Sequence, residues 1–275
     1  MRATSRTGEA MAFARLGDIV VHHEVSGGAG SPTLVLANSL GTDLRVWDPL
    51  APYLAESFRL VRYDKRGHGL TDLTPGPYTI AGLADDLARL LDSAGIAGAL
   101  VCGLSIGGMI AQRLAASRPD LVRGLVLMDT AHRIGSAETW QQRIDAVRSP
   151  AGIGGIADAV MERWFARDFR ERRPDELAGW RNMLTRTPVE GYAACCAAIR
   201  DADLTASTKA LRVPTLCLAG EEDGATPPAL VEELAKLIPG AAYVTVPTAG
   251  HLPCVEQPED VARAVLEFAG ENGLA

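Results

Sequence analysis

Short apolar runs alternate with helical patterns along most of the chain. Runs of about four to eight apolar residues bounded by turn signals are typical of buried strands, whereas apolar residues three and four positions apart are typical of helices. The predicted strands cover residues 19–25, 33–37, 58–63, 99–102, 122–128, 213–219 and 242–246. The predicted helices between them cover residues 47–55, 79–93, 106–116, 227–237 and 258–269. This alternation predicts an α/β protein with a mostly parallel twisted sheet flanked by helices.

The alternation of strands and helices stops in the middle of the chain. Residues 133–207 show only helical patterns, and these cover residues 137–147, 153–166, 176–184 and 189–199, with breaks at Pro150, Pro174 and Pro188. Helices inserted after a strand lie over the carboxyl ends of the strands, where an open α/β sheet binds its ligand. We therefore predict a core formed by residues 1–132 and 208–275, with residues 133–207 as a helical lid.

A serine stands between the predicted strand 99–102 and the predicted helix 106–116. Gly103, Ser105 and Gly107 form the pattern Gly-x-Ser-x-Gly. In this pattern a strained turn from strand to helix exposes the serine hydroxyl above the sheet, and the small neighbours let strand and helix approach each other. The pattern also occurs by chance in ordinary turns, but here the flanking strand and helix favour Ser105 as a nucleophile.

Transfer of an acyl group to Ser105 would also need hydrogen-bond donors that stabilise the oxyanion formed in the reaction. The predicted strand 33–37 runs directly into Asn38-Ser39-Leu40-Gly41, where a hydrolase with a nucleophile elbow places the second half of its oxyanion hole. We predict that the backbone N–H groups of Leu40 and Ile106 form this hole. The alternative is that residues 38–41 form a plain turn at the end of a strand.

A general base is expected near the end of the chain. His251 follows the predicted strand 242–246 in the loop Thr248-Ala249-Gly250-His251. Chain order serine, acid, histidine is the order expected on this scaffold, so His251 is predicted to take the proton of Ser105. His68 lies in a glycine-rich turn after a strand and is expected to fix that loop through backbone hydrogen bonds instead.

The acid of the predicted triad has several candidates at strand ends. Asp223 follows the strand 213–219, with Glu221 and Glu222 beside it, and Asp129 follows the strand 122–128. We favour Asp223 because Thr226-Pro227 leads its loop into the next helix. Asp223 would orient the imidazole of His251 and stabilise its protonated form.

Composition and charge exclude several other classes of protein. The chain has 275 residues, of which 47% are hydrophobic and 22% are charged, as in ordinary globular proteins. Its formal net charge of −7 gives no general attraction to phosphate backbones, so no nucleic-acid partner is expected. Since no apolar run reaches about 18 residues, no membrane span is expected either.

Cysteine and histidine positions bear on compartment and metal binding. The 5 cysteines are an odd number without the spacing of a disulfide framework, which indicates a reducing compartment. No apolar stretch follows Arg2 and Arg6, so no signal peptide is expected and a cytoplasmic location is predicted. The adjacent His22 and His23 would face opposite sides of a strand, so no metal site is expected.

With these residues in place, the chain resembles the α/β-hydrolase superfamily and, within it, the 3-oxoadipate enol-lactonase family of aromatic-compound degradation. The resemblance extends over residues 15–268. It rests on the triad motifs and on more specific stretches, which are residues 37–44, Trp47-Asp48, residues 133–135, Trp140, residues 163–165 and residues 191–204.

The resemblance implies hydrolysis of an enol-lactone that carries a carboxylate arm, giving 3-oxoadipate without any cofactor. Ser105, Asp223 and His251 match the triad positions of the family. An anionic substrate needs a local cation on an acidic protein, and Arg133 and Arg143 in the lid are candidates, with Trp140 as an apolar wall. The alternative for each arginine is ordinary surface charge.

Two other functions fit the same sequence features. A general carboxylesterase or a carbon–carbon bond hydrolase would use the same triad with a different lid pocket. A small-molecule receptor would keep the fold and bind a ligand without turnover. In each case the expected partner is a small molecule, and the chain is expected to be a monomer or a small homo-oligomer.

Overall fold

One twisted sheet organises the chain. The computed structural model describes residues 10–28 and 30–275. The strands are β1 (Ala10–Leu16), β2 (Ile19–Ser26), β3 (Thr33–Ala37), β4 (Arg59–Tyr63), β5 (Ala99–Leu104), β6 (Val122–Met128), β7 (Thr215–Gly220) and β8 (Ala242–Val246). Their order across the 8-stranded sheet is β1-β2-β4-β3-β5-β6-β7-β8. β2 is antiparallel to β1 and β4, and the remaining neighbours are parallel. The predicted α/β class with a mostly parallel sheet is therefore confirmed.

Strand β1 lies outside the predicted strands. Its sequence is rich in alanine, which has no preference for strands, so the pattern contains no strand signal there. The strand forms because a turn with Gly17 at φ 69° folds it back onto β2. The expectation about a signal peptide concerns residues 1–9, which lie outside the described residues.

Helices connect the strands and cover the sheet. They are α1 (Ala51–Leu54), α2 (Ile80–Ser93), α3 (Ile106–Ser117), α4 (Ala137–Arg148), α5 (Ala157–Trp164), α6 (Arg167–Arg172), α7 (Pro174–Thr185), α8 (Val189–Arg200), α9 (Thr205–Lys209), α10 (Pro228–Leu237), α11 (Pro253–Glu256) and α12 (Pro258–Glu271). The prediction of one helix over residues 47–55 is wrong, because a 3₁₀ helix (Leu44–Trp47) and the short α1 stand there instead. Pro49 and Pro52 lack the N–H groups that a continuous helix needs.

The helices α4 to α9 all lie between β6 and β7. The single helix predicted over residues 153–166 is divided into a 3₁₀ turn (Ile153–Ile156) and α5, which ends at Trp164. Phe165 and Ala166 are extended, and α6 begins directly after them. Pro174 begins α7 rather than merely separating two helices, because the first turn of a helix tolerates a residue without an N–H group.

The hydrophobic core lies on both faces of the central strands. All 6 residues of β5 are buried, as are the residues of α2 and α3 that face the sheet. The five cysteines are buried free thiols. Within residues 10–28 and 30–275, none of the helices combines the length and the apolar character needed to cross a membrane.

Candidate active site

Ser105 lies on a sharp turn between β5 and α3. Its backbone has φ 59° and ψ −121°, a conformation that residues with a side chain rarely adopt. A Cβ atom on Gly103 would collide with the backbone of Gly107, and one on Gly107 would collide with the carbonyl of Ala37 in β3. Glycine is therefore required at both positions, and the tight contact between α3 and two parallel strands fixes the conformation of Ser105.

The loop after β3 lies beside this turn, because β3 and β5 are parallel neighbours. Two buried side chains from the loop after β4 hold it in place. Lys65 Nζ donates to the carbonyl oxygens of Ser39 at 2.5 Å and Thr42 at 3.2 Å. His68 Nε2 accepts the N–H of Gly41 at 3.0 Å, so His68 fixes the loop after β3 as well as contacting Arg66 in its own turn, where its role was expected.

The protonation of these two side chains suits their contacts. Burial lowers the pKa of Lys65 to about 8. Burial and the charge of Lys65 lower the pKa of His68 well below its usual value, so its imidazole is neutral and can accept the Gly41 N–H. The sequence alone did not indicate that Lys65 and His68, in the loop after β4, would form hydrogen bonds with the loop after β3.

The N–H groups of Leu40 and Ile106 are the two predicted oxyanion donors. Neither makes a hydrogen bond to any residue in the part of the chain that the structure describes. Leu40 lines the same cavity as Ser105, and Ile106 is the first residue of α3, where N–H groups have no partner within the helix. Both groups are thus available to a ligand, and their predicted role is taken up below.

Asp223 and His251 form a buried pair. Asp223 Oδ2 lies 2.9 Å from His251 Nδ1, and the two residues are 4% and 2% exposed. Asp223 also accepts the N–H groups of Ala225 and Thr226 and the hydroxyl of Thr226. Burial acts to raise the pKa of Asp223, but the charge of His251 and these hydrogen bonds lower it to about 2. The carboxylate is therefore ionised and fixes the imidazole.

Asp129, the competing candidate for the acid, lies beside this pair but forms its hydrogen bond with the backbone of Gly220 rather than with His251. It is fully buried at φ 44°, and its Oδ1 accepts the N–H of Gly220 at 2.8 Å. Its Oδ2 has no hydrogen-bond partner in the described residues. Burial and the nearby carboxylate of Asp223 raise the pKa of Asp129 well above its usual value. Glu221 and Glu222, the other candidates, are exposed.

A small cavity of about 90 Å³ opens above Ser105. His251 and Leu40 line it from the sheet side, and Trp140, Arg143 and Arg163 line it from the helical insertion. Trp140 is anchored because its Nε1–H donates to the carbonyl of Ile134 at 2.6 Å. The cavity therefore combines a hydroxyl, an imidazole, an apolar wall and two cations.

The arginines of the insertion divide into two groups. Arg133, one of the candidates for substrate binding, is exposed and does not line the cavity, so the structure places it away from Ser105. Arg143 does line the cavity, and its Nη1 donates to the hydroxyl of Tyr192 at 3.2 Å. Arg163 was not among the predicted contacts. Its Nε donates to the carbonyl of Gly224 at 3.1 Å, and burial and Arg143 lower its pKa.

A metal ion has one conceivable set of ligands among the described residues. The ligand atoms of Asp129, Asp223 and His251 lie within 4.8 Å of one another. The oxygens of Asp223 already accept hydrogen bonds from Ala225, Thr226 and His251. Asp129 Oδ1 likewise accepts the N–H of Gly220, so we assign these side chains to hydrogen bonds with their neighbours and assign no ion to them.

The fold and the serine turn define a class of protein. Residues 32–258 match the family described as the alpha/beta hydrolase fold. The chain therefore belongs to the α/β-hydrolase fold family, as its motifs indicated.

Individual relatives narrow the comparison. The chain is 35% identical over 248 residues to 3-oxoadipate enol-lactonase 2 of Acinetobacter baylyi, an alignment that spans 90% of this chain and 92% of that protein. The crystal structure of the enol-lactonase from Burkholderia xenovorans LB400 is similar with a TM-score of 0.91 and 40% identity, covering 94% of this chain and all of that one. A malate-bound thermophilic esterase from Thermogutta terrifontis has a TM-score of 0.87 and 32% identity, with 98% and 99% covered.

The raised pKa of Asp129 predicts how Asp129→Asn changes stability. The native state keeps the Asp129 proton above the ordinary aspartate pKa of about 3.9, whereas the unfolded state releases it, so this group makes stability fall as pH rises. Asparagine removes that fall. We expect Asp129→Asn to raise the free energy of unfolding, relative to the unmodified protein, by a larger amount at pH 7 than at pH 4.

Urea unfolding of both proteins at the two pH values measures this difference. A stability difference that is the same at pH 4 and pH 7, or larger at pH 4, would show that Asp129 is ionised in the folded protein.

Proposed function

We propose that this protein is a serine hydrolase that opens 3-oxoadipate enol-lactone to 3-oxoadipate through an acyl-enzyme. One observation carries the proposal. Ser105, on its strained turn, shares a small cavity with the imidazole of the Asp223–His251 pair and with two arginines. A nucleophile, a base and a cationic pocket are the groups that hydrolysis of an anionic lactone requires.

In the proposed reaction, His251 takes the proton of Ser105 as the serine oxygen attacks the lactone carbonyl. The N–H groups of Leu40 and Ile106 hold the oxyanion, and Asp223 stabilises the imidazolium. Collapse of the tetrahedral intermediate breaks the ring ester bond, the imidazolium of His251 gives its proton to the leaving enolate, and the resulting enol ketonises. Water activated by His251 then hydrolyses the acyl-enzyme, which releases the product and restores Ser105.

The charges around the cavity support a substrate with a carboxylate. No carboxylate of the described residues forms an ion pair with Arg143 or Arg163, although both line the cavity. Two unpaired guanidinium groups in a half-enclosed space favour an anion, and the guanidinium fork matches a carboxylate. The names of the similar proteins from Acinetobacter and Burkholderia also favour an enol-lactone. Trp140 supplies an apolar wall for the ring.

The esterase from Thermogutta keeps a second candidate open, because it is 32% identical to this chain over nearly its whole length. A general carboxylesterase would use the same serine and histidine but would not need the cationic pocket. A carbon–carbon bond hydrolase or a receptor without turnover would differ in the bond cleaved or in having no reaction at all.

The direct test is an assay with enzymatically generated 3-oxoadipate enol-lactone beside short p-nitrophenyl esters. We expect kcat/KM for the lactone to exceed that for the esters by at least about 100-fold, because binding of the carboxylate assists only the lactone. Ser105→Ala and Asp223→Asn should each lower kcat by about 1,000-fold or more, whereas Asp129→Asn should keep kcat within about 3-fold. Equal kcat/KM values for the two substrates would favour the general esterase, and absence of turnover would favour the receptor.

The cationic pocket predicts a selective effect of its arginines. Loss of a charge-assisted hydrogen bond to a carboxylate costs about 1.5–3 kcal/mol, so Arg143→Ala and Arg163→Ala should each raise KM for the lactone by about 10-fold to 100-fold. KM for neutral p-nitrophenyl acetate should change by less than about 2-fold. Arg133→Ala is the matched control, because Arg133 lies outside the cavity, and should leave both KM values unchanged. Equal increases for the two substrates would contradict recognition of the carboxylate by these arginines.

A further inference from the structure

The carboxylate of Glu256 joins two parts of the molecule that meet at the active site. Glu256 ends α11, soon after His251, and is 7% exposed. Its Oε1 accepts the N–H of Gly250 at 2.7 Å, and its Oε2 accepts the N–H of Ala166 at 2.9 Å. Gly250 directly precedes His251, whereas Ala166 belongs to the helical insertion. One buried side chain therefore connects the histidine loop to the insertion.

Neighbouring backbone contacts extend this connection to both triad loops. The N–H of His251 donates to the carbonyl of Trp164 at 2.8 Å. In the loop of Asp223, the N–H of Gly224 donates to the carbonyl of Arg163 at 3.2 Å. Arg163 Nε in turn donates a hydrogen bond to the carbonyl of Gly224. Residues 163–166 thus contact the loop after β7 and the loop after β8 at the same time.

The backbone of the insertion is shaped for these contacts. Helix α5 ends at Trp164, and the extended conformation of Phe165 and Ala166 turns the Ala166 N–H away from the helix. Ala166 precedes α6 and has no side chain that could cap that helix. Glu256 satisfies its N–H from another part of the chain, as a glutamate does within a capping box. A buried N–H group without a partner would be costly, so this contact has a structural reason to persist.

The pKa of Glu256 reflects both its burial and its two contacts. Burial raises the pKa of Glu256 to about 8, and the N–H groups of Gly250 and Ala166 act in the opposite direction. Glu222 also raises this pKa, and Arg173 lowers it. The ionised carboxylate accepts one N–H group at each oxygen, whereas the protonated form that burial favours accepts fully at one oxygen only.

We propose that Glu256 is a positioning residue for hydrolysis, which holds the loop of His251 against residues 163–166 and thereby keeps the imidazole aimed at Ser105. Residues 163–166 then act as a fixed wall of the active site, and any opening of the insertion takes place elsewhere in residues 133–207. This inference rests on the proposed hydrolysis by Ser105, Asp223 and His251.

Two substitutions test the inference, with kcat and KM measured for both the enol-lactone and p-nitrophenyl acetate. Glu256→Gln keeps the shape but can accept only one of the two N–H groups, and Glu256→Ala accepts neither. Because a displacement of about 1 Å can cost about 100-fold in rate, we expect kcat to fall by about 10-fold for Gln and about 100-fold for Ala. KM should stay within about 2-fold, since the side chains that line the cavity are unchanged.

Glu221→Gln is the matched control. Glu221 also accepts a backbone N–H group, that of Thr248 at 3.3 Å, but it is exposed, and among the described residues no hydrogen bond or ion pair joins its side chain to the insertion. We expect this variant to keep the kcat of the unmodified protein. Each kcat is expressed per folded molecule after thermal unfolding curves have been recorded. If Glu256→Ala does not fold, the isosteric Glu256→Gln decides the result.

The outcomes separate this inference from the proposed function. An unmodified protein that hydrolyses neither substrate would contradict the proposed function itself. An active protein whose Glu256 variants keep full kcat per folded molecule, or lose activity only through KM, would overturn the positioning role. A fall in kcat in the order Gln and then Ala, with KM and the Glu221→Gln control unchanged, supports it.

Discussion

The close approach of α3 to β3 and β5 is the constraint on which the site depends. Gly103 and Gly107 have no room for a side chain, because each faces backbone atoms of a neighbouring element. This contact holds Ser105 at a positive φ and places beside its hydroxyl the N–H group of Ile106, which has no hydrogen-bond partner among the described residues. A larger residue at either glycine would push α3 away from the sheet. It would therefore change the shape of the site without changing its charges.

The remaining groups reach this point because parallel neighbouring strands end at the same edge of the sheet. Ser105, Asp223 and His251 follow β5, β7 and β8, and the loop with Leu40 follows β3. Loops of this kind need internal support. Here it comes from buried polar side chains that accept from or donate to backbone groups, with Lys65 and His68 against the loop after β3 and Glu256 against the loop after β8.

The features that could be predicted from the sequence are those with local causes. Apolar periodicity located the parallel strands, and the glycine spacing located the turn at Ser105. Features set by distant packing could not be predicted. Strand β1 depends on pairing with β2, and the position of Arg163 rather than Arg133 in the cavity wall depends on how the insertion packs. The contact of Glu256 with Ala166 joins residues 90 positions apart.

The central claim is that Ser105 is a nucleophile activated by His251, and labelling with a fluorophosphonate tests it most directly. Mass spectrometry of the intact protein and its peptides should find one adduct per chain, located on Ser105. Labelling should disappear in Ser105→Ala and should slow by at least about 100-fold in His251→Ala. An adduct on another residue, or a labelling rate that does not depend on His251, would contradict the account.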